Sequence, residues 1–247
     1  SKRISYLMLY ISPPFGNYFK GGGNSTRIRG TFTADRRRGL VYHTLRSLRP
    51  VEGGWSNQIG FRNKGLQNIK KFDMSSYYSL AALDSNWVTL FCMLPENAKI
   101  ELNVGCPNVG DYSIKRADIQ LFTSNYKDVI VKVSPNVTRE FLDDCQELGV
   151  KTIHLCNTIP TERGGLSGKP LKRVCLPLVK SIATTYNMNI IAGGGIYSKQ
   201  DVVDYANAGA KHFSISTVFI TAPWRISAIH DAAWRVSHNS AVYGKDI

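Results

Sequence analysis

The sequence predicts a single (β/α)8 barrel domain spanning residues 1–247. Eight apolar runs of strand length recur along the chain, and amphipathic stretches of helical length separate most of them. Strands that alternate with helices pair in parallel, and eight such units in about 250 residues fit a closed barrel. The 43% hydrophobic content supplies enough apolar side chains for one large core.

Several of the eight predicted strands, such as VIVKVS and KTIHLCN, are rich in β-branched residues and bounded by turn signals. They cover residues 6–12, 27–33, 78–83, 99–104, 129–134, 151–156, 189–192 and 211–216. Apolar residues at helical spacing predict helices over 138–148, 171–186 and 199–208. Residues 13–26 contain too much glycine and asparagine for a helix. Residues 34–77 are too long for a simple connection, so we expect a short helix and an excursion over the barrel mouth.

The cysteine content and the hydropathy pattern limit the classes of protein to which this sequence can belong. Five cysteines at irregular spacing fit neither a disulfide framework nor a zinc site, and they indicate a reducing compartment. No apolar run reaches the roughly 18 residues of a membrane helix, and no signal peptide pattern is present. We therefore expect a cytoplasmic protein, or a mitochondrial one if a presequence has been removed.

The positive charge is concentrated in the first third of the chain. The formal net charge is +13, and residues 1–71 hold 14 of the 31 lysines and arginines but only 2 of the 18 acidic residues. The arginines at the centre of this region are Arg27, Arg29, Arg36, Arg37, Arg38, Arg46 and Arg49. Two interpretations stay open: a solvated basic face, or a docking surface for RNA, an acidic protein or an anionic membrane.

The segment ELNVGCPNVG is the strongest candidate for a functional site. Its strand ends in a turn that brings Asn103, Cys106 and Asn108 to one mouth, and Pro107 stiffens that turn. Active sites of (β/α)8 barrels form at the carboxyl ends of the strands. Other polar residues expected at that rim are Asn57, Lys132, Asn157, Thr158, Ser216 and Thr217. No histidine pair or carboxylate cluster joins them, which disfavours metal-dependent hydrolysis.

The glycine run at Gly193, Gly194 and Gly195 predicts a phosphate site. Backbone N–H groups approach a phosphate closely only where no Cβ intervenes. In barrels, the loops after strands seven and eight often bind phosphate near a short helix. The Ser-Thr strand end about 20 residues later therefore favours a phosphorylated cofactor. A tight turn is the alternative for the glycines, and a small buried thiol is the alternative for Cys106.

Five segments together resemble the dihydroorotate dehydrogenase family. They are NQIGFRNKGL, ELNVGCPNV, VKVSPNVT, CNTIPTERGGLSGKPL and IIAGGGIYS, which occur in the family's order within roughly residues 28–220. The resemblance implies an FMN-binding barrel that oxidises dihydroorotate to orotate. Cysteine at position 106 is usual in the soluble members, whereas GGLSGKPL is more similar to the membrane-associated members that carry serine there.

The same resemblance implies a role for each candidate residue. Cys106 would be the catalytic base. Asn57, Asn103, Asn108 and Asn157, with Thr158, would bind the substrate. Lys132 would contact the flavin ring, and Gly194, Gly195, Ser216 and Thr217 would hold the FMN phosphate.

The basic first third of the chain suggests two alternative functions. A dihydrouridine synthase-like enzyme acting on RNA would share the barrel, FMN and a GCP turn, although GGLSGKPL and the four asparagines disfavour it. The barrel could instead be retained as a basic component of a ribonucleoprotein or mitochondrial assembly. Beyond dihydroorotate, the expected partners are a nucleic acid or an acidic protein, and a second copy of the chain in a homodimer.

Overall fold

Eight parallel strands close into a barrel in the order β1-β12-β11-β8-β7-β6-β5-β2. The computed structural model describes residues 9–20, 22–23, 25–105, 113–155 and 157–243, with side chains described up to residue 236. The barrel strands are β1 (Leu9–Ile11), β2 (Ser25–Phe32), β5 (Tyr77–Leu80), β6 (Lys99–Asn103), β7 (Val129–Val133), β8 (Thr152–Leu155), β11 (Asn189–Ala192) and β12 (His212–Ile215). Each falls within or overlaps one of the eight predicted runs, and the predicted (β/α)8 fold is confirmed.

Helices follow most of the strands. They are α1 (Leu40–Ser47), α2 (Trp87–Cys92), α3 (Arg116–Asn125), α4 (Arg139–Glu147), α5 (Lys172–Thr185), α6 (Lys199–Asn207), α7 (Val218–Thr221) and α8 (Ile226–Tyr243). At the start of α4 the Thr138 hydroxyl accepts a hydrogen bond from the Phe141 N–H at 3.3 Å, as the capping signal predicts. The long α8 was not predicted. In the part of the chain that the structure describes, no helix is long and apolar enough to cross a bilayer.

Side chains along the barrel strands alternate between two environments, as β7 shows. In β7, Val129, Val131 and Val133 pack into the large core between the barrel and its helices. Ile130 faces the other way and belongs to a small separate cluster inside the barrel, with Tyr10, Ile28 and Ile191. Successive side chains of a strand point to opposite faces, so Lys132 lies on the same inward face as Ile130. The polar residues described below occupy this inner face.

A second, antiparallel sheet is built from two distant segments. It has the order β3-β4-β10-β9 and contains β3 (Arg49–Val51), β4 (Gly54–Asn57), β9 (Ile159–Thr161) and β10 (Gly164–Gly168). The excursion after β2 supplies β3 and β4, and the GGLSGKPL segment supplies β10. Gly165 pairs with Asn57 across more than a hundred residues of sequence. The predicted excursion with a short helix is therefore present, but its sheet was not predicted.

One cysteine differs from the expectation drawn from the sequence. Cys175 is buried in α5 and is disulfide-bonded. Cys92 and Cys145 are free thiols. The irregular cysteine spacing gave no sign of this bond.

Candidate active site

A polar pocket opens at the carboxyl ends of the barrel strands. Its lining residues come from the ends of β1, β7, β8, β11 and β12 and from β10 of the second sheet. Seven of the residues singled out from the sequence meet in this lining: Lys132, Asn157, Thr158, Gly194, Gly195, Ser216 and Thr217. The pocket therefore unites the predicted lysine with one of the predicted amides and both predicted phosphate loops.

Asn103 and Asn157 are joined by a direct hydrogen bond beneath this pocket. The Asn157 amide Nδ2 donates to Asn103 Oδ1 at 2.7 Å, and Asn103 Nδ2 donates to the Thr31 hydroxyl at 3.1 Å. Both asparagines are buried, and the Thr158 N–H donates to Asn157 Oδ1 at 3.1 Å. These bonds orient both amide groups, because an amide oxygen only accepts and its nitrogen only donates.

Lys132 enters the barrel interior. Its register partners are Asn103 on β6 and His154 on β8, and it is 7% exposed. This lysine does not pass between the helices on the outer face of the barrel, because its neighbours Val131 and Val133 occupy that face. Within the described ranges no carboxylate lies close enough to form an ion pair with the Lys132 amine. A buried cation of this kind favours an anionic or electron-rich partner in the pocket.

The two candidate phosphate loops stand side by side at the pocket. Gly194 and Gly195 have φ of 91° and 80°, a region that residues with a Cβ rarely adopt. A Cβ on Gly195 would lie 2.9 Å from the Lys169 carbonyl oxygen, so the position is also too crowded for a side chain. Ser216 and Thr217 precede the short helix α7. The phosphate site that the sequence predicts for these four residues stays a prediction.

The remaining predicted residues lie elsewhere or outside the described ranges. Asn57 ends β4 of the second sheet, where its Oδ1 accepts a hydrogen bond from the Ile59 N–H at 3.2 Å. It is not part of the pocket lining. Cys106 and Asn108 lie outside the described residues, directly after the end of β6 and Gly105. Their predicted roles stay predictions.

A chain of three buried residues crosses the barrel interior beside the pocket, and the sequence analysis missed it. The imidazole of His154 lies 2.6 Å from Glu101 Oε2 through Nδ1 and 2.7 Å from Ser214 Oγ through Nε2. Glu101, His154 and Ser214 are 0%, 1% and 5% exposed, and Ser214 also lines the pocket. The sequence did carry a signal for it: each of the three apolar strands IELN, TIHL and FSI has a polar residue at a position that faces the barrel interior.

Electrostatics favour one charge state for the hydrogen-bonded residues Glu101, His154 and Ser214. Burial alone would raise the pKa of Glu101, but the nearby His154 and Lys132 outweigh it and lower that pKa, so the carboxylate is ionised. Burial lowers the pKa of His154, and together with Lys132 it outweighs the opposite effect of Glu101, so the imidazole is neutral. A neutral imidazole beside a carboxylate carries its proton on Nδ1 and donates it to Glu101. Nε2 is then an acceptor, and the Ser214 hydroxyl donates to it.

Residues 17–234 match the family model described as dihydroorotate dehydrogenase. The chain belongs to the dihydroorotate dehydrogenase family. Curated relatives include the catalytic subunit of dihydroorotate dehydrogenase B (NAD(+)) from Bacteroides thetaiotaomicron, 28% identical over 236 residues, which cover 79% of this chain and 76% of the relative. The corresponding subunit from Staphylococcus carnosus is 28% identical over 242 residues, covering 79% and 78%.

Solved dihydroorotate dehydrogenases share the fold. The ligand-free enzyme from Eimeria tenella superimposes with a TM-score of 0.72 at 18% identity, covering 94% of this chain and 84% of that one. The same enzyme in complex with ferulenol gives a TM-score of 0.65 at 16% identity, covering 88% and 76%. The chain is therefore an oxidoreductase of the dihydroorotate dehydrogenase family, which typically binds FMN.

The pocket has the polar groups that a flavin nucleotide requires. Two lining hydroxyls, on Ser12 and Thr158, are buried and lack a hydrogen-bond partner among the residues described. A buried hydroxyl without a partner costs about 1–3 kcal/mol, so a ligand that satisfies it recovers that cost. The backbone at Gly194 and Gly195 suits a phosphate group, and the Lys132 cation suits the flavin ring system. The residues present fit FMN.

Proposed function

We propose that this protein catalyses the FMN-dependent oxidation of dihydroorotate to orotate. The observation that carries the proposal is the convergence, at one pocket, of the Asn103–Asn157 amide pair, the buried Lys132 and two phosphate-type loops. Family membership supports the reaction class. No metal or carboxylate cluster is required, because hydride transfer to a flavin is chemistry that the cofactor supplies.

FMN would be held at both ends by the residues of this pocket. Gly194, Gly195, Ser216 and Thr217 would hold the phosphate through backbone N–H groups and hydroxyls. Lys132 would lie against the ring system and favour negative charge there. When bound, FMN supplies the acceptor for the hydride that leaves C6 of the substrate.

The substrate would be held by side-chain amides. Four of the six ring positions of dihydroorotate alternate between N–H and C=O groups, and an amide both donates and accepts, so Asn103 and Asn157 suit it. We extend this role to Asn108, Asn57 and Thr158 on the strength of the family resemblance. For Asn57 the proposal requires a change in its surroundings, because its side chain now serves the turn at Ile59.

Cys106 would remove the proton from C5 of the substrate. In the sequence it follows β6, which ends at Asn103, and it directly precedes Pro107. The thiolate is the reactive form of cysteine, so this role requires a pKa brought toward neutral. A general base contributes about 10²–10⁴-fold to a rate.

The role of Cys106 is testable by anaerobic stopped-flow reduction of the bound flavin with dihydroorotate. Cys106→Ala should keep its flavin and slow reduction by about 10²–10⁴-fold. Cys92→Ala is the matched control, because Cys92 is an exposed free thiol on α2 and should leave the rate unchanged. A Cys106→Ala protein that is reduced at the rate of the control would refute the assignment.

A second proposal, a macromolecular partner, concerns the excursion after β2. On the preceding strand β2, Arg27 forms an ion pair with Asp73, and Arg29 is half-buried over the Tyr78 ring, so neither presents a free guanidinium at the surface. Other cations of the excursion are exposed: Arg36, Arg38, Arg46 and Arg49. Beside them α1 buries none of its residues, and Val41 and Leu45 are 72% and 75% exposed. This favours a docking surface for a nucleic acid or an acidic protein over a plain solvated face.

The docking surface is testable by retention on immobilised RNA and on an immobilised acidic protein. Arg36, Arg38 and Arg46 are changed together to Gln, whereas Arg37 is kept because its side chain is half-buried. The control changes three exposed lysines, Lys127, Lys151 and Lys199, to Gln. Earlier elution of the arginine variant alone supports the surface, and a steep salt dependence on RNA would identify phosphate contacts. Equal elution of both variants would reject it.

A further inference from the structure

The chain Glu101–His154–Ser214 connects the barrel interior to the pocket wall. Glu101 comes from β6, His154 from β8 and Ser214 from β12, and the last of them lines the pocket. Inward positions of small barrels are usually filled by branched apolar residues, so three polar ones in hydrogen-bond contact require a reason. Burying an ionised carboxylate costs several kcal/mol unless its surroundings compensate it.

The direction of the hydrogen bonds determines what the pocket wall offers. His154 donates from Nδ1 to Glu101, and so its Nε2 must accept from the Ser214 hydroxyl. The single hydroxyl proton of Ser214 is thereby used inside the barrel. What remains on the Ser214 oxygen is its two lone pairs, which accept hydrogen bonds but cannot donate them.

The backbone makes room for this arrangement at Gly193. A Cβ at that position would lie 2.2 Å from Ser214 Oγ and 3.4 Å from His154 Nε2. Any side chain would therefore displace the serine from the histidine. The first residue of the glycine run thus protects the Ser214–His154 bond, whereas Gly194 and Gly195 have the positive φ values that the turn requires.

We propose that Glu101 and His154 are positioning residues that hold the Ser214 hydroxyl as a hydrogen-bond acceptor, which selects a ligand presenting an N–H group at this wall. This inference rests on the proposed function, because oxidised FMN carries one ring N–H group, the imide at N3. Ser214 is then a specificity-determining residue for the cofactor. The charge of Glu101 also offsets that of Lys132 on the neighbouring strand.

The test compares FMN binding by the apo-protein, followed by quenching of flavin fluorescence, with stability in urea. Ser214→Ala should weaken binding by about 3–10-fold, the usual worth of one hydrogen bond. His154→Asn keeps an amide near Nδ1 for Glu101 but loses the partner of Ser214, so it should weaken binding equally. His154→Gln reaches the Nε2 position instead, so it should bind within about twofold of the wild type although it is less stable.

The double variant Ser214→Ala/His154→Asn should bind no more weakly than either single variant, because both changes remove the same contact. The wild type should discriminate against 3-methyl-FMN, which lacks the imide N–H, and Ser214→Ala should not. His212→Gln is the matched control: this histidine lies on the same strand, edge-on to Tyr10, and should leave FMN binding unchanged.

The outcomes separate this inference from the proposed function. A wild-type protein that binds no FMN would overturn both. A wild type that binds FMN, with undiminished binding by Ser214→Ala and His154→Asn, would overturn the inference alone. Additive losses in the double variant would also overturn it, because independent effects mean that the two residues do not act through one contact.

Discussion

Lys132→Met should lower the midpoint potential of the bound flavin. The structure buries this lysine on the inner face of β7, at the wall of the pocket, and the reduced flavin carries more negative charge than the oxidised form. At a separation of roughly 5 Å and an effective dielectric constant of about 20, the interaction energy between the lysine charge and one unit of negative charge on the flavin is about 3 kcal/mol. For a two-electron couple that energy corresponds to a decrease of ~70 mV.

The assay is spectroelectrochemical titration of the purified holoprotein, with Lys169→Met as the matched control. Lys169 lies next to a residue of the same pocket in the sequence, and Lys169→Met removes the same charge as Lys132→Met. The Lys169 side chain, however, is exposed and lies over the Tyr197 ring. Solvent and salt screen such a charge, so the control should shift by less than ~15 mV. The double variant Lys132→Met/Glu101→Gln, which leaves no uncompensated buried charge, should return toward the wild-type potential. Equal potentials for Lys132→Met and the wild type would refute the placement of the lysine beside the flavin.

Two further predictions concern stability. Thr158→Val removes a buried hydroxyl that lacks a partner, so in urea denaturation it should stabilise the apo-protein by ~1 kcal/mol while weakening orotate binding; a less stable variant would contradict this. Burial lowers the pKa of His212 to about 4. The unfolded chain therefore takes up this proton first, and stability should fall by ~1.4 kcal/mol per pH unit between about pH 6.5 and 4, with no such loss above pH 6.5. His212→Gln should flatten this part of the pH profile, and an unchanged slope would contradict the assignment.

The barrel could be predicted because its signal is local. Runs such as VIVKV are buried on both faces, and a β-branched run bounded by turns identifies such a strand without any knowledge of its neighbours. The alternation along these runs also identified Lys132 as a residue that required a special environment. The capping threonine of α4 is likewise a signal contained within four residues.

The second sheet could not be predicted, because its pairing is set by contacts distant in sequence. Its strands are three to five residues long, and β10 reads GGLSG, which has little strand propensity of its own. Gly54 tolerates no side chain, since a Cβ would lie 2.0 Å from the Ser167 carbonyl oxygen on the partner strand. That requirement appears only when the two segments are brought together.

The Glu101–His154–Ser214 chain was missed for a related reason. Its members come from three strands that are not adjacent in the barrel, and no spacing motif connects them. Taken alone, each residue is a polar side chain in an apolar strand. Only the closure of the barrel brings the imidazole within 2.7 Å of both partners.

The most direct test of the account is anaerobic titration of the purified protein with dihydroorotate, followed by absorbance and by product analysis. We expect a protein that carries FMN or binds it on addition, whose flavin absorbance bleaches on titration, with one orotate formed per flavin reduced. A flavin-loaded protein that dihydroorotate leaves oxidised would contradict the proposed substrate. A protein with no affinity for FMN would contradict the whole assignment of the pocket.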